Sequence, residues 1–176
     1  MAKYTVGLKQ VKVGDAATDG DISSTVLSGL TKKFKVYNDT CEVTQEAPSL
    51  TEHKEENNAI PVVVLVERNS PHVKFQMMET DAASLISMIG GTAQPDGTTS
   101  GTSGFGFDGT DDVPNQCFMF EALQGMDIYI PNGRISASMS GKMSKTGILL
   151  VDVEIIPEHV TGTGKKPFVM RPHATT

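Results

Sequence analysis

Tryptophan is absent, cysteine occurs twice, and three tyrosines and seven phenylalanines are the only aromatic rings among 176 residues. So few rings argue against the aromatic platforms on which sugar-binding modules are built. Cys41 and Cys117 have neither CxxC spacing nor a matching histidine pair, which argues against zinc and against a disulfide framework. Both thiols are expected to pack as small apolar groups. Long apolar runs are lacking too: the longest, Val62–Val66, is far shorter than the roughly 20 residues of a spanning helix. The opening Met1–Lys9 alternates polar and apolar residues without an apolar h-region, so no Sec-type signal is expected there. Lysine and arginine are missing from residues 75–133, which carry eight acids: Glu79, Asp81, Asp96, Asp108, Asp111, Asp112, Glu121 and Asp127. Residues 1–74 carry nine basic and ten acidic groups, and residues 134–176 six and three. No basic stripe of a nucleic-acid binder emerges. The split suits an acidic face meeting a weakly basic one head to tail, and equally suits plain solvated charge.

What is present is a polar, acidic chain of formal charge -6, with 38% apolar and 20% charged residues, of a size that suits one globular domain. Its dominant period is two. His72, Lys74 and Gln76 interleave with Val73, Phe75 and Met77; Ser136, Ser138 and Ser140 with Ile135, Ala137 and Met139; Asp152 and Glu154 with Val151, Val153 and Ile155. Such alternation predicts half-buried antiparallel strands. Further strands are expected over 3–13, 33–38, 40–46, 51–56, 116–123 and 126–130, each bounded by Gly, Pro, Asn or Asp. In the first, the apolar phase flips between Leu8 and Val11, the mark of a bulge or of a strand changing sheets. Val62–Val66 is apolar at every position, which predicts cover on both faces. One helix is expected, with Thr80 as N-cap, Asp81 at its positive end, Leu85, Ile86 and Ile89 on one face and Gly90-Gly91 as the stop. The fold class that follows is all-β with one short helix, a β-sandwich or β-barrel. Residues 14–30 and 91–115 are Gly-, Ser-, Thr- and Asp-rich loops. The second is longer than the roughly 12 to 15 residues usual for passive loops, and it holds Phe105 and Phe107. It reads as an arm docking on a neighbour, with local folding back as the alternative.

Several motifs tempt and fail. Gly104-Phe-Gly-Phe-Asp-Gly109 matches G-x-G-x-x-G but lacks the preceding strand and following helix of a dinucleotide site. Lys142-Met-Ser-Lys-Thr146 looks like the KMSKS loop of class I aminoacyl-tRNA synthetases without the HIGH motif or the large nucleotide-binding fold that family needs. Gly162-Thr-Gly-Lys-Lys-Pro167 has proline where a phosphate-binding helix should start. Asp15, Asp19 and Asp21, and Asp108, Asp111 and Asp112, lack the closing Glu of an EF-hand and read as turn residues. His53, His72, His159 and His173 are scattered, with no nucleophile elbow, and read as surface imidazoles. No catalytic residue, cofactor site or metal site is expected, and the chain does not read as an enzyme.

The order of segments carries more. An alternating Tyr4-Thr-Val-Gly-Leu-Lys-Gln-Val-Lys-Val-Gly14 comes first, then Asn38-Asp-Thr-Cys-Glu-Val-Thr-Gln-Glu-Ala-Pro48 leading through Ser49-Leu50 into Thr51-Glu-His-Lys-Glu-Glu56. A strand, a helix and a Gly pair follow over Lys74 to Gly91. This arrangement resembles the major tail tube proteins of long-tailed bacteriophages, akin to the inner tubes of contractile injection machines. The resemblance covers residues 1–91 and 116–156; the segment 91–115 and the short tail after Pro157 depart from it. It implies a virion subunit, assembled in the host cytoplasm, that closes into hexameric rings. The rings stack into a tube for double-stranded DNA and meet the tape measure, terminator and baseplate or tip proteins. Against that frame Glu42, Glu46, Glu52 and Glu56 are the expected lumen-facing groups, on strands polar on one side, where carboxylates would repel phosphates. Phe105 and Phe107 are the expected contacts between subunits. The rival reading is a β-sandwich binding or decoration module, for carbohydrate or capsid, that forms no tube.

Overall fold

The computed structural model describes residues 4–95, 97, 103–109, 112–142, 144, 145 and 147–173. In chain order the elements begin with β1 (Val6–Asp15), α1 (Ser24–Ser28), β2 (Lys32–Phe34), β3 (Glu42–Thr44), β4 (Ser49–Lys54), β5 (Pro61–Glu67) and β6 (His72–Met77). They continue with α2 (Ala82–Ile89), β7 (Thr92–Gln94), β8 (Gly104–Gly106), β9 (Gln116–Gln124), β10 (Met126–Gly141), β11 (Leu149–Pro157) and β12 (Val169–Pro172). The main sheet runs β2-β1-β9-β10-β11-β6-β3, with β12 added to β10 and every pairing antiparallel.

This sheet curls until its ends meet. Leaving β2, the chain crosses to β6: Val36 bridges Met77, the Tyr37 amide donates to the Gln76 carbonyl (2.8 Å), and the Met78 amide donates to the Lys35 carbonyl (2.9 Å). The wall is thus a barrel, which leaves few open edges. Its inward positions are the apolar phases read from the sequence: Val11 and Val13, Val73, Phe75 and Met77, Phe118 and Phe120, Ile128 and Ile130, and Val151, Val153 and Ile155. Phe120 packs edge-on against Phe75, centroids 5.9 Å apart, and in parallel against Phe118 at 6.2 Å. Leu85 and Met88, three positions apart on α2, share the face that seals this core.

The bulge expected in the first strand is present as a register shift between Leu8 and Gln10. Elsewhere the structure corrects the sequence reading. The segments expected at 126–130 and 135–140 are one strand, β10, because Pro131 falls inside a second shift, between Ile130 and Gly133, where a missing N–H costs no ladder bond. A Cβ on Gly133 would meet Ile155 Cγ2 at 2.8 Å, so the close approach of β10 to the core fixes glycine there. There are two helices among the described residues, not one. α1 lies in the segment read as a loop, where Ala17, Ile22 and Leu30 are buried. Asp81, rather than Thr80, caps α2, accepting the Ser84 amide at 3.1 Å, and Gly90 (φ 85°) ends it. The segment 91–115 does not extend as an arm where it is described: β7 and β8 pair, and Phe105 packs against the core. Residues 96, 98–102, 110 and 111 of that segment lie outside the described residues. The tail after Pro157 is structured, burying Val160 and contributing β12.

The largest departure is Val62–Val66. Both faces of β5 were expected to be covered, yet β5 pairs with β4 in a two-stranded ribbon apart from the barrel, and these five side chains are 45–68% exposed.

Candidate functional site

Two surfaces emerge from this layout. The first is the outer face of β3, β6, β11 and β10. Register places Glu42, Lys74, Glu154 and Ser136 in one cross-strand row and Gln76, Asp152 and Ser138 in the next. Every one is polar because inward neighbours of the opposite phase occupy the core. His72 Nδ1 lies 2.9 Å from Glu154 Oε1 and Lys74 Nζ 3.5 Å, and the His72 contact foremost, then the Lys74 charge, hold this carboxyl below its usual range. Gln76 Nε2 donates to Asp152 Oδ1 at 2.7 Å. The face is solvent-accessible and net acidic, with Glu42, Asp152 and Glu154 against Lys74.

The second surface is the β4–β5 ribbon. Val64 opposes Glu52 and Val66 opposes Leu50 on one face, while Val63 opposes His53 and Leu65 opposes Thr51 on the other. The ribbon is therefore apolar on both sides from Val62 to Val66; its charges are Glu67 at the end of β5 and, on β4, Glu52 and Lys54, with Lys54 Nζ 3.1 Å from Glu52 Oε2. At its root the Gln45 amide donates to the Asn69 carbonyl (2.7 Å) and the Asn69 amide to Glu46 Oε2 (3.2 Å), which tie the segments on either side of the ribbon together.

The four glutamates expected to line a lumen do not share one surface. Glu42 belongs to the polar sheet face, Glu46 lies past the end of β3 at the ribbon root, and Glu52 is on the ribbon. Glu56 sits in the connection between β4 and β5, beside Asn57 in the left-handed region (φ 66°), so it does not continue the alternation of Glu52 and Lys54. The strands expected at 40–46 and 51–56 do not pair with each other, because β3 pairs with β6 and β4 with β5. Of the two aromatic contacts, Phe105 serves its own core, whereas Phe107 is 55% exposed.

The other motifs acquire structural roles. Lys142 and Lys145 lie in the β10–β11 connection, whose Met143 and Thr146 are outside the described residues. Asp19 and Asp21 shape the turn before α1, Asp19 accepting the Asp21 amide and Asp21 the Ser23 hydroxyl. Asp112 pairs with Arg134 at 2.6 Å, while Asp111 is outside the described residues. Among the described residues no group of three or more His, Cys, Asp or Glu is placed to hold a metal ion. Burial pushes the thiols of Cys41 and Cys117 up to about 11, which leaves both unreactive at neutral pH.

Sequence reasoning missed a cluster of charge at the joint of β1, β9, β10 and β12. Glu121 is met by Lys9 Nζ (2.6 Å), Lys12 Nζ (2.9 Å) and Gln10 Nε2. Partial burial pushes its carboxyl up, but hydrogen bonds from Lys9, Gln10 and Lys12 and the charge of Lys12 together outweigh it and bring it to about 2. Asp127, 1% exposed, accepts the Ala122 amide (2.8 Å) and lies 3.0 Å from His173 Nδ1. His173 is thus a partly buried partner rather than a free surface imidazole. The available signal was phase: Glu121 and Asp127 are polar positions inside otherwise apolar strands. Comparison with protein-family models and with curated proteins finds no match for this chain.

Proposed function

We infer that the chain is the subunit of a self-assembling tube of the phage tail type, in which copies close into hexameric rings and the rings stack into a conduit for double-stranded DNA. The observation that carries this reading is the β4–β5 ribbon: five consecutive apolar side chains, exposed on both faces, on a hairpin whose flanks are tied together at its root. An exposed strand of this composition is a liability in a free protein and an interface in an assembled one. Copies of the same chain supply the cover. Other tail proteins meet the ends of such a tube. Negative-stain electron microscopy with a native mass measurement tests the reading. Rings or tubes are expected, and a particle that stays monomeric at high concentration across all salt conditions overturns it.

In this reading the polar face of β3, β6, β11 and β10 lines the bore, with Glu42, Asp152 and Glu154 as its acids. Carboxylates repel phosphates and release no counterions, so duplex DNA slides past without adhering. The double variant Glu42→Lys with Asp152→Lys is expected to form normal tubes and to lower the infectivity of particles built from it by an order of magnitude or more. Full infectivity with normal tubes removes this face from the bore.

A further inference from the structure

We propose that the β4–β5 ribbon of one copy seats in a groove beside β1 of the next, a head-to-tail contact that names the cover the ribbon needs; it rests on the tube reading for the association of copies. The groove follows from the sheet order. β2 pairs with β1 over Val11–Val13 only, and the chain then leaves for β6, so the edge of β1 away from β9 has no strand beside Val6–Gln10 among the described residues. The space left open, between that edge and the crossover at residues 34–41, is about 560 Å³. Leu8, Phe34 and Val36, which reach the core, form its floor. Its rim is apolar as well, with Leu123 62% and Tyr37 41% exposed.

The molecule thus carries two unlike apolar surfaces, one projecting and one recessed. Within the single chain they do not satisfy each other: β5 is laddered to β4 alone, and Val62–Val66 and Leu123 are exposed together. A projecting patch that fits a recess elsewhere on an identical molecule makes a heterologous contact, in which every copy gives a ribbon and receives one, so the contact repeats around a ring or along a stack. The sizes agree, since the apolar run of β5 and the open stretch of β1 are five residues each, about 17 Å of strand. The charges agree too. Lys9 and Lys35 stand at the groove against Asp39, and Lys9 shares its one carboxylate, Glu121, with Lys12, which leaves the groove net positive. Residues 49–68 carry Glu52, Glu55, Glu56 and Glu67 against Lys54 and Arg68, which leaves the ribbon net negative. Ribbon packed on ribbon would set like charge against like, whereas ribbon in groove sets acid against base.

A contact between unlike surfaces has a signature that a contact between like ones lacks: two variants that each lose one surface complement each other once and no further. Val64→Lys spoils the ribbon and keeps the groove. Leu123→Lys spoils the groove rim and keeps the ribbon, with Tyr37→Lys as a second groove variant should the first fail to fold. Each is followed by sedimentation velocity alone and in equal mixture, with the parent under the electron microscope alongside. Each variant alone is expected to need at least about tenfold more protein than the parent to associate, and the mixture of Val64→Lys with Leu123→Lys is expected to stop at a complex of two chains. Folded groove variants that polymerise like the parent overturn the groove and leave the tube reading intact. Variants that stay monomeric alone and form no two-chain complex when mixed overturn it as well, since ribbon and groove then meet different partners. A two-chain complex from the mixture, beside a parent that makes neither rings nor tubes, supports the contact and counts against the tube; a parent that never associates overturns both.

Discussion

Val64→Lys leaves the subunit folded and stops polymerisation, and Leu65→Lys does the same from the opposite face of the ribbon. Both side chains are about half exposed in the single chain, at 45% and 52%, and neither belongs to the barrel core. Surface changes of this kind move folding stability by less than about 0.5 kcal/mol, so thermal unfolding of the monomer should be unaltered. In an assembly the same position is covered, and a lysine there is a desolvated charge repeated in every copy, facing uncharged Thr51 from position 65 and only Glu52, already held by Lys54, from position 64. Such a charge costs several kcal/mol, and each 1.4 kcal/mol is a factor of about ten in affinity, so the concentration needed for assembly rises at least a hundredfold. Sedimentation velocity over a concentration series reads the effect directly. If both variants polymerise like the parent, the ribbon is not the interface and the proposed function loses its main support.

The sequence displayed the barrel wall well because each strand there has one dry face and one wet face, and period two is the imprint of that asymmetry. His72–Met77 and Val151–Ile155 are legible for this reason, as is the phase flip that became the shift between Leu8 and Gln10. Val62–Val66 misled because an unbroken apolar run looks the same in a sequence whether the fold buries it or leaves it exposed. Pro131 misled in the other direction: proline usually ends a strand, and here it occupies a bulge. Strand partners were not readable at all. β3 lies next to β4 in sequence, yet its ladder is made with β6 across the whole ribbon, so Glu42 and Glu52, on successive strands of the chain, belong to different surfaces. The phase of Glu121 and Asp127 marked them out, but their partners were unreadable for a related reason, since Lys9, Lys12 and His173 come from both ends of the chain.

That cluster supplies the second large effect, an acid-dependent loss of stability traceable to one carboxylate. Glu121 is held at about 2 against an ordinary value of 4.5, by hydrogen bonds and charge that together exceed the cost of its burial. Because the folded state binds this proton more weakly than the unfolded chain does, the ionised form favours folding. The benefit is complete above about pH 5, declines as the pH falls through 4.5, and is exhausted near pH 2. At 1.36 kcal/mol per unit, its full size is roughly 3 kcal/mol, a large share of the stability of a single domain. Glu121→Gln keeps the shape and an acceptor oxygen but leaves Lys9 and Lys12 without their counter-charge. Urea unfolding should therefore show the variant less stable than the parent by about 3 kcal/mol at pH 7, with the gap narrowing steadily below pH 4.5. Other carboxylates, Glu154 among them, also lose their partners in acid, so the diagnostic quantity is the difference between parent and variant rather than either curve alone. A gap that stays constant from pH 7 to pH 2.5 would mean that Glu121 acts by packing, and that the lysines at this joint contribute no charge to holding β1 against β9.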